Sequence, residues 1–394
     1  MDGFVIGHWI LYMLGIIICF HLVFPMVLFL CWKFLIKPSK LSNPGSSNRD
    51  YGIILTAYEQ VDFVAEAVNS LLDMDYVNFH IYVVADNCKP SESLMFTDDR
   101  VEVLFPENIL ASNTASHFYA IEHFKRQHQT ILIMDSDNLA HPQLINELNK
   151  YFDLGFRAVQ GLRSAKNLET TIACLDAARD IYYHFYDGRV IFDLGSSATL
   201  AGSGMAFDSP LYIGMLKGID IRGAGFDKVL QARLIASGER IAFAEDAIVY
   251  DQKTSAPKQL VSQRSRWIAT WFKYFKFGFS ILYRGVLRTN LNQFIFGIVL
   301  LRPPLFIFLS LAVLLMVISL FTSQLLALVI FLSLIIYIIS FLIPVLSKTT
   351  DKKIRRALVF IPEFIFYQFV SLAKSVFSSK SNVATRHSVK KNSR

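Results

Sequence analysis

The chain has 394 residues, 53% of them hydrophobic and only 18% charged. Soluble domains carry about 45–50% apolar and about 25% charged residues, so this excess excludes an ordinary soluble protein and calls for a membrane. Lys and Arg outnumber Asp and Glu by 39 to 32, a net +7, and the four scattered cysteines exclude a secreted disulfide framework or a spaced zinc site, leaving reduced thiols in a cytosolic domain.

From Trp9 to Ile36 the chain is apolar, with no acidic residue and its first basic one at Lys33. That length exceeds the ~20 residues a helix needs to cross the hydrocarbon core, and Pro25 offers a kink. A cleavable signal would want positive charge before a shorter apolar run; here Asp2 precedes and Lys33, Lys37 and Lys40 follow, which puts the next segment in the cytoplasm. Residues 1–37 therefore read as a transmembrane helix, and the Ser/Pro/Asn-rich residues 38–47 as a linker.

Residues 48–267 read as a soluble α/β domain, because short β-branched runs (IILT, IYVVAD, ILIMD) alternate with stretches of helical pattern. The first run ends in Thr56-Ala57-Tyr58-Glu59-Gln60 and the second in Val84-Ala85-Asp86-Asn87-Cys88, polar residues at the edge where such sheets bind nucleotides. The third runs into Asp135-Ser136-Asp137. Alternate strand side chains share a face, so two hard carboxylates can present together to Mg²⁺ or Mn²⁺ shared with a diphosphate. Neither a Gly-x-Gly-x-x-Gly fingerprint after the first strand nor a P-loop is found, which excludes the common dinucleotide and P-loop enzymes.

Gly202-Ser203-Gly204, within LAGSGM, permits close approach of backbone to a ligand. Gly225-Phe226-Asp227-Lys228 opens a helical stretch. Gln263-Arg264-Ser265-Arg266-Trp267 follows at the domain's end, where Arg266 can pair with a diphosphate and Trp267 offers a flat face to a sugar ring.

Residues 268–292 interleave Trp271, Phe272, Phe275 and Phe279 with Lys273, Lys276, Arg284 and Arg288, the pattern of an amphipathic helix in the headgroup layer. The positive charge thus serves the inner leaflet, and a nucleic-acid partner is not expected. Two membrane helices, 304–321 and 325–346 within residues 293–346, return the chain to the cytoplasm at Lys348, Lys352, Lys353, Arg355 and Arg356. In residues 347–394, Leu358–Phe377 reads as interfacial or re-entrant in preference to a further crossing, which would carry the basic tail outside.

The ordered set of Asp86, Asp135-Ser136-Asp137, GSGM, an Asp opening a helix and Gln-x-x-Arg-Trp at the membrane resembles the membrane-embedded family 2 glycosyltransferases, the cellulose, chitin, hyaluronan and poly-N-acetylglucosamine synthases and their lipid-modifying relatives. The resemblance spans about residues 50–270 and the flanking helices. It implies a GT-A fold with a Rossmann-like mixed sheet, a UDP-sugar donor, an inverting transfer and a Mg²⁺ or Mn²⁺ cofactor. On that pattern Thr56, Tyr58 and Asp86 border the uridine, Asp135 and Asp137 hold nucleotide and cation, and Asp227 is the general base. Arg266 meets the diphosphate, and Gly202, Ser203, Gly204, Gln263 and Trp267 meet the acceptor.

Two departures stand out. The base is preceded by Phe226 where relatives often have Glu, and a literal Glu245-Asp246 pair comes later, among strand-like residues; Asp227 is preferred because it opens a helix between GSGM and Gln-x-x-Arg-Trp. The lysine that commonly precedes the metal motif is missing from ILASNTASHFYAI, leaving Asn113 or His117 to substitute, though His117 reads more simply as a helix-surface residue. The expected activity is transfer of a hexose or N-acetylhexosamine to a growing β-linked polysaccharide or oligosaccharide at the cytoplasmic face of the cell membrane. With so few membrane helices, processivity would need a homodimer or an accessory membrane subunit. The alternatives are a lipid glycosyltransferase adding one sugar to a membrane acceptor and a noncatalytic membrane scaffold.

Overall fold

The computed structural model describes residues 2–36, 48–219, 221, 223–349 and 351–377. The expected linker 38–47 and the basic tail beyond 377 lie outside the described residues.

Eight strands form one sheet: β1 (Tyr51–Tyr58), β2 (Phe79–Asp86), β3 (Val101–Leu104), β4 (Thr130–Asp135), β5 (Leu139–Ala140), β6 (Ala158–Ala165), β7 (Met205–Asp208) and β8 (Ile241–Asp251). Their spatial order is β3-β2-β1-β4-β7-β6-β8-β5. The four strands β3, β2, β1 and β4 are mutually parallel, while β7 runs antiparallel to both neighbours. The alternation along β1 and β2 explains why these runs are apolar throughout: Ile53, Leu55, Ile81 and Val83 enter one core and Ile54, Tyr82 and Val84 the other. Both faces are covered, so neither face of the strand can be polar. Helices Val64–Leu72 and Leu144–Asp153 cover the first face; Asn113–Glu122, Ser209–Leu216 and Phe226–Ala236 cover the second.

Among the described residues, four stretches are long and apolar enough to cross a membrane: Gly7–Leu35, Leu305–Thr322, Gln324–Lys348 and Lys352–Ser375. The fourth includes the segment expected to be interfacial. It packs, however, on the α/β domain's own helices: Lys352–Ala357 against Thr171–Tyr183, and Ile361–Phe377 along Pro257–Tyr274. The first three bundle together, with Leu22, Phe308, Ala312 and Ile330 in a core that also takes in Tyr182, Phe185 and Tyr186 of the domain. Polar clamps fix that junction: Trp32 Nε1 donates to Asp193 at 2.8 Å, and the Tyr186 hydroxyl to the Ser340 carbonyl at 2.9 Å. Outward-facing residues such as Ile16, Phe321 and Leu328 leave a broad apolar belt.

The amphipathic helix expected over 268–292 is instead divided. Gln263–Trp267 sits inside one helix, Pro257–Tyr274, hereafter the motif helix; Phe277–Leu287 and Leu291–Leu301 then form a hairpin. A Cβ on Gly285 would lie 2.5 Å from the Phe294 amide nitrogen, so the two arms approach backbone to backbone.

Candidate active site

Strand register gathers the site. Thr56 lies beside Asp135 across β1 and β4, and Tyr58 beside Asp86 across β1 and β2, so the C-terminal ends of three parallel strands open together. Thr56, Tyr58, Asp86, Asp135 and Asp137 all line one cavity of about 1180 Å³.

Asp86 also shapes the loop above it: its two carboxylate oxygens accept the Leu110 and Ala111 amides at 2.9 and 2.7 Å. That loop leads into Ser112, the N-cap of helix Asn113–Glu122. Asn113 lines the cavity. His117 does not lie on the helix surface, as its sequence position suggested. It is buried, its Nδ1 is 2.6 Å from the Tyr212 hydroxyl, and burial lowers its pKa to about 3, so it is a neutral core residue and cannot replace a phosphate-binding lysine.

Burial raises the Asp135 carboxyl to about 7, and Asp137 pushes it the same way; Arg163 opposes, while Asp251 and Asp227 add to the repulsion. Carboxylates crowded in this manner lack positive charge, which a divalent cation supplies. Among the described residues no group of three or more His, Cys, Asp or Glu could hold a metal. Asp135 and Asp137 are two carboxylates, and Mg²⁺ or Mn²⁺ can be held by one or two of them with its other ligands from water and phosphate.

The GSGM segment divides in role. Gly202 lines the cavity, with φ +89°. Ser203 and Gly204 do not: Ser203 is fully buried and its hydroxyl accepts the Asp135 amide at 3.0 Å, which corrects its expected contact with the acceptor. Gln160 and Gln231 pin the loop from below, accepting the Ala201 and Leu200 amides at 2.8 and 3.0 Å.

Asp227 lines the cavity in the first turn of helix Phe226–Ala236, 3.2 Å from Lys228 Nζ. The helix starts from Gly225 at φ +107°, where a Cβ would lie 2.6 Å from the Tyr274 ring and 2.7 Å from Thr270 Cγ2. Only glycine lets the helix that carries Asp227 meet the motif helix this closely. Glu245 and Asp246 do not line the cavity, and Glu245 is paired with Arg189 at 3.1 Å and Lys348 at 2.5 Å.

Gln263, Arg266 and Trp267 line the cavity from the motif helix. The Trp267 ring carries guanidinium carbons of Arg264 and Arg179 at 4.0 and 4.8 Å from its centroid, so its face is a cation-bearing surface. Sequence reasoning missed Arg163, Arg179, His184, Lys228, Arg264 and Arg302, all of which line the cavity. The available signal was the set of charges inside apolar stretches, Arg163 in β6 and Asp176, Arg179 and Asp180 in helix Thr171–Tyr183. Arg163 donates to Asp251 at 2.6 Å; burial alone would lower its pKa, but the surrounding carboxylates raise it, so it stays charged.

A family model described as "Glycosyltransferase like family 2" matches residues 48–270, more than half of the chain. The chain belongs to this glycosyltransferase family. Among solved structures, a mannosyltransferase, PcManGT from Pyrobaculum calidifontis, in complex with GDP-Man and Mn²⁺, is similar over 93% of this chain and 99% of its own, at 12% identity and a TM-score of 0.57. S. aureus TarS 1-349 in complex with UDP-GlcNAc covers 59% of this chain and 66% of its own, at 13% identity and a TM-score of 0.40. No curated protein matches in sequence. The family 2 domain thus carries the GT-A fold and mixed sheet implied by the motifs, together with apolar helices able to span a membrane.

Proposed function

We propose that this family 2 protein is an inverting, metal-dependent glycosyltransferase that moves a single sugar from a nucleoside diphospho-sugar to a lipid acceptor at the membrane surface. One observation carries the lipid reading. The cavity that contains Asp135, Asp137 and Asp227 continues between the membrane helices, where Leu309, Val313, Met316, Leu334, Ile335 and Ile338 line it. Such a wall suits hydrocarbon; a polysaccharide passing there would lose hydrogen bonds to water without replacement. The polymer-synthase reading is therefore set second.

Asp227 accepts the proton of the attacking hydroxyl as its oxygen bonds to the anomeric carbon and the bond to the diphosphate oxygen breaks. Arg266 takes up charge developing on the leaving diphosphate. A divalent cation held by Asp135 and Asp137 supplies further neutralisation of that group. Thr56, Tyr58 and Asp86 border the nucleoside. Lys33 in the last turn of the first apolar helix, with Lys348 at the end of the third and Lys352, Lys353, Arg355 and Arg356 after it, supports a cytoplasmic catalytic domain. The packing of Ile361–Phe377 along the motif helix supports a surface-lying final segment.

A donor screen tests this. Release of nucleoside diphosphate is followed from UDP-glucose, UDP-galactose, their N-acetyl analogues and GDP-mannose, with Mg²⁺, Mn²⁺ or EDTA, on protein in nanodiscs with and without total membrane lipid. One donor should be consumed only with metal and lipid acceptor together; release indifferent to lipid would count against the proposal.

A further inference from the structure

Arg264 is 3% exposed, yet only one of its nitrogens is paired: Nη2 donates to Asp176, while Nε and Nη1 have no partner. A buried guanidinium with unmatched N–H groups is costly unless an anion completes it. Its surroundings carry the same imbalance. The linked network of Arg163, Lys253, Arg179 and Arg264 holds four cations against three carboxylates, Asp251, Asp180 and Asp176. Burial, followed by the charge of Arg179, lowers the Arg264 pKa to about 10, as expected of a cation short of counter-charge. Stacking on Trp267 fixes the guanidinium plane.

The position of this group in the cavity matters. Arg264, Arg179 and Tyr183 line it together with Arg302, Pro303 and Pro304, which lead directly into Leu305 and Phe306 at the head of a membrane helix. Arg302 is itself matched by Asp187, and Arg179 by Asp176 and Asp180, so the unmatched N–H groups are those of Arg264, with Arg179 sharing the face of Trp267 beside it. The same cavity is lined by the hydrocarbon-like wall and by Arg266 and Asp227.

We propose that Arg264 and Arg179 form an anion subsite that holds a phosphate in the acceptor, located between the acceptor's apolar chain and the hydroxyl that receives the sugar. This rests on the lipid-acceptor reading above and narrows it to phospholipids whose head group bears a free hydroxyl. Arginine suits the role because its fork presents parallel N–H groups to phosphate oxygens.

The test is equilibrium binding to the full chain in detergent, with dihexanoyl phosphatidylglycerol, dihexanoylglycerol, glycerol 3-phosphate, inorganic phosphate and a nucleoside diphosphate as probes. Dihexanoyl phosphatidylglycerol should bind at least tenfold tighter than dihexanoylglycerol or either soluble phosphate. Arg264→Gln should remove that advantage, Arg264→Lys should keep part of it, and the double variant Asp176→Asn/Arg264→Gln, which leaves no buried carboxylate unpaired, should behave as Arg264→Gln while melting near wild type. Equal binding of the phosphorylated and unphosphorylated lipids would overturn the subsite. So would glycerol 3-phosphate binding as tightly as the phospholipid, which would make the occupant a soluble phosphate, or a loss confined to the nucleoside diphosphate, which would make it the donor. Phospholipid binding without sugar transfer to any lipid would sink the lipid-acceptor reading instead and leave the anion subsite standing.

Discussion

The Asp135 amide donates to the buried Ser203 hydroxyl at 3.0 Å, tying the end of β4 to the loop before β7. Ser203 is thereby a support for the backbone that carries Asp135. Ser203→Ala should cost about 1 kcal/mol of stability and several-fold in activity, since one buried hydrogen bond is lost. Titration with Mn²⁺ should show weaker nucleotide-dependent metal binding, whereas the KM for acceptor should stay near wild type. A change confined to acceptor KM would restore Ser203 to the acceptor site.

Under the proposed mechanism, Asp227→Asn removes the proton acceptor and little else. Transfer should fall by about 100-fold or more, with nucleotide affinity retained, a magnitude typical of losing a general base. Glu245→Gln and Asp246→Asn should keep most of the rate, because neither residue reaches the cavity and Glu245 is held by Arg189 and Lys348. Single-turnover assays of the three variants separate the two carboxylate sites; the reverse ranking would make Glu245 or Asp246 the base.

Gly225→Ala should both destabilise and slow the protein. Its φ of +107° alone costs roughly 1–2 kcal/mol for a residue with a Cβ, and that atom would meet Tyr274 and Thr270 of the motif helix. Relief requires helix Phe226–Ala236 to move away, carrying Asp227 with it. Melting temperature and kcat should therefore fall together.

His117 makes stability depend on pH in a stated direction. Its pKa is lowered by burial from 6.5 to about 3, so the unfolded chain binds the extra proton in that interval and folding weakens as pH falls through it. At pH 5 the loss from this residue is about 2 kcal/mol relative to neutral pH. Thermal melts of wild type and His117→Asn between pH 7.5 and 5 check this: the variant should show the shallower slope, and parallel slopes would contradict the assignment.

The parts legible in the sequence were those with a period or an ordered motif. The apolar runs of β1, β2 and β4 mark the parallel half of the sheet, and Asp135, Asp137, Asp227, Gln263, Arg266 and Trp267 are brought to one cavity. The antiparallel β7 and the two-residue β5 were not, because four or fewer residues carry no readable alternation. His117 looked like a surface residue because its partners, Tyr212 and Phe226, lie some hundred positions away. The network through Arg163, Arg179 and Arg264 was hidden for the same reason: its ion pairs join β6, β8, helix Thr171–Tyr183 and the motif helix, and no local spacing reports such a meeting.

The most direct test of the central claim is the size and partition of the product. Purified protein in nanodiscs with total membrane lipid is given its radiolabelled donor sugar and Mn²⁺, and the product is extracted and weighed by mass spectrometry. The account predicts label in the organic phase, on a lipid bearing one added sugar. A long water-soluble polymer would contradict it.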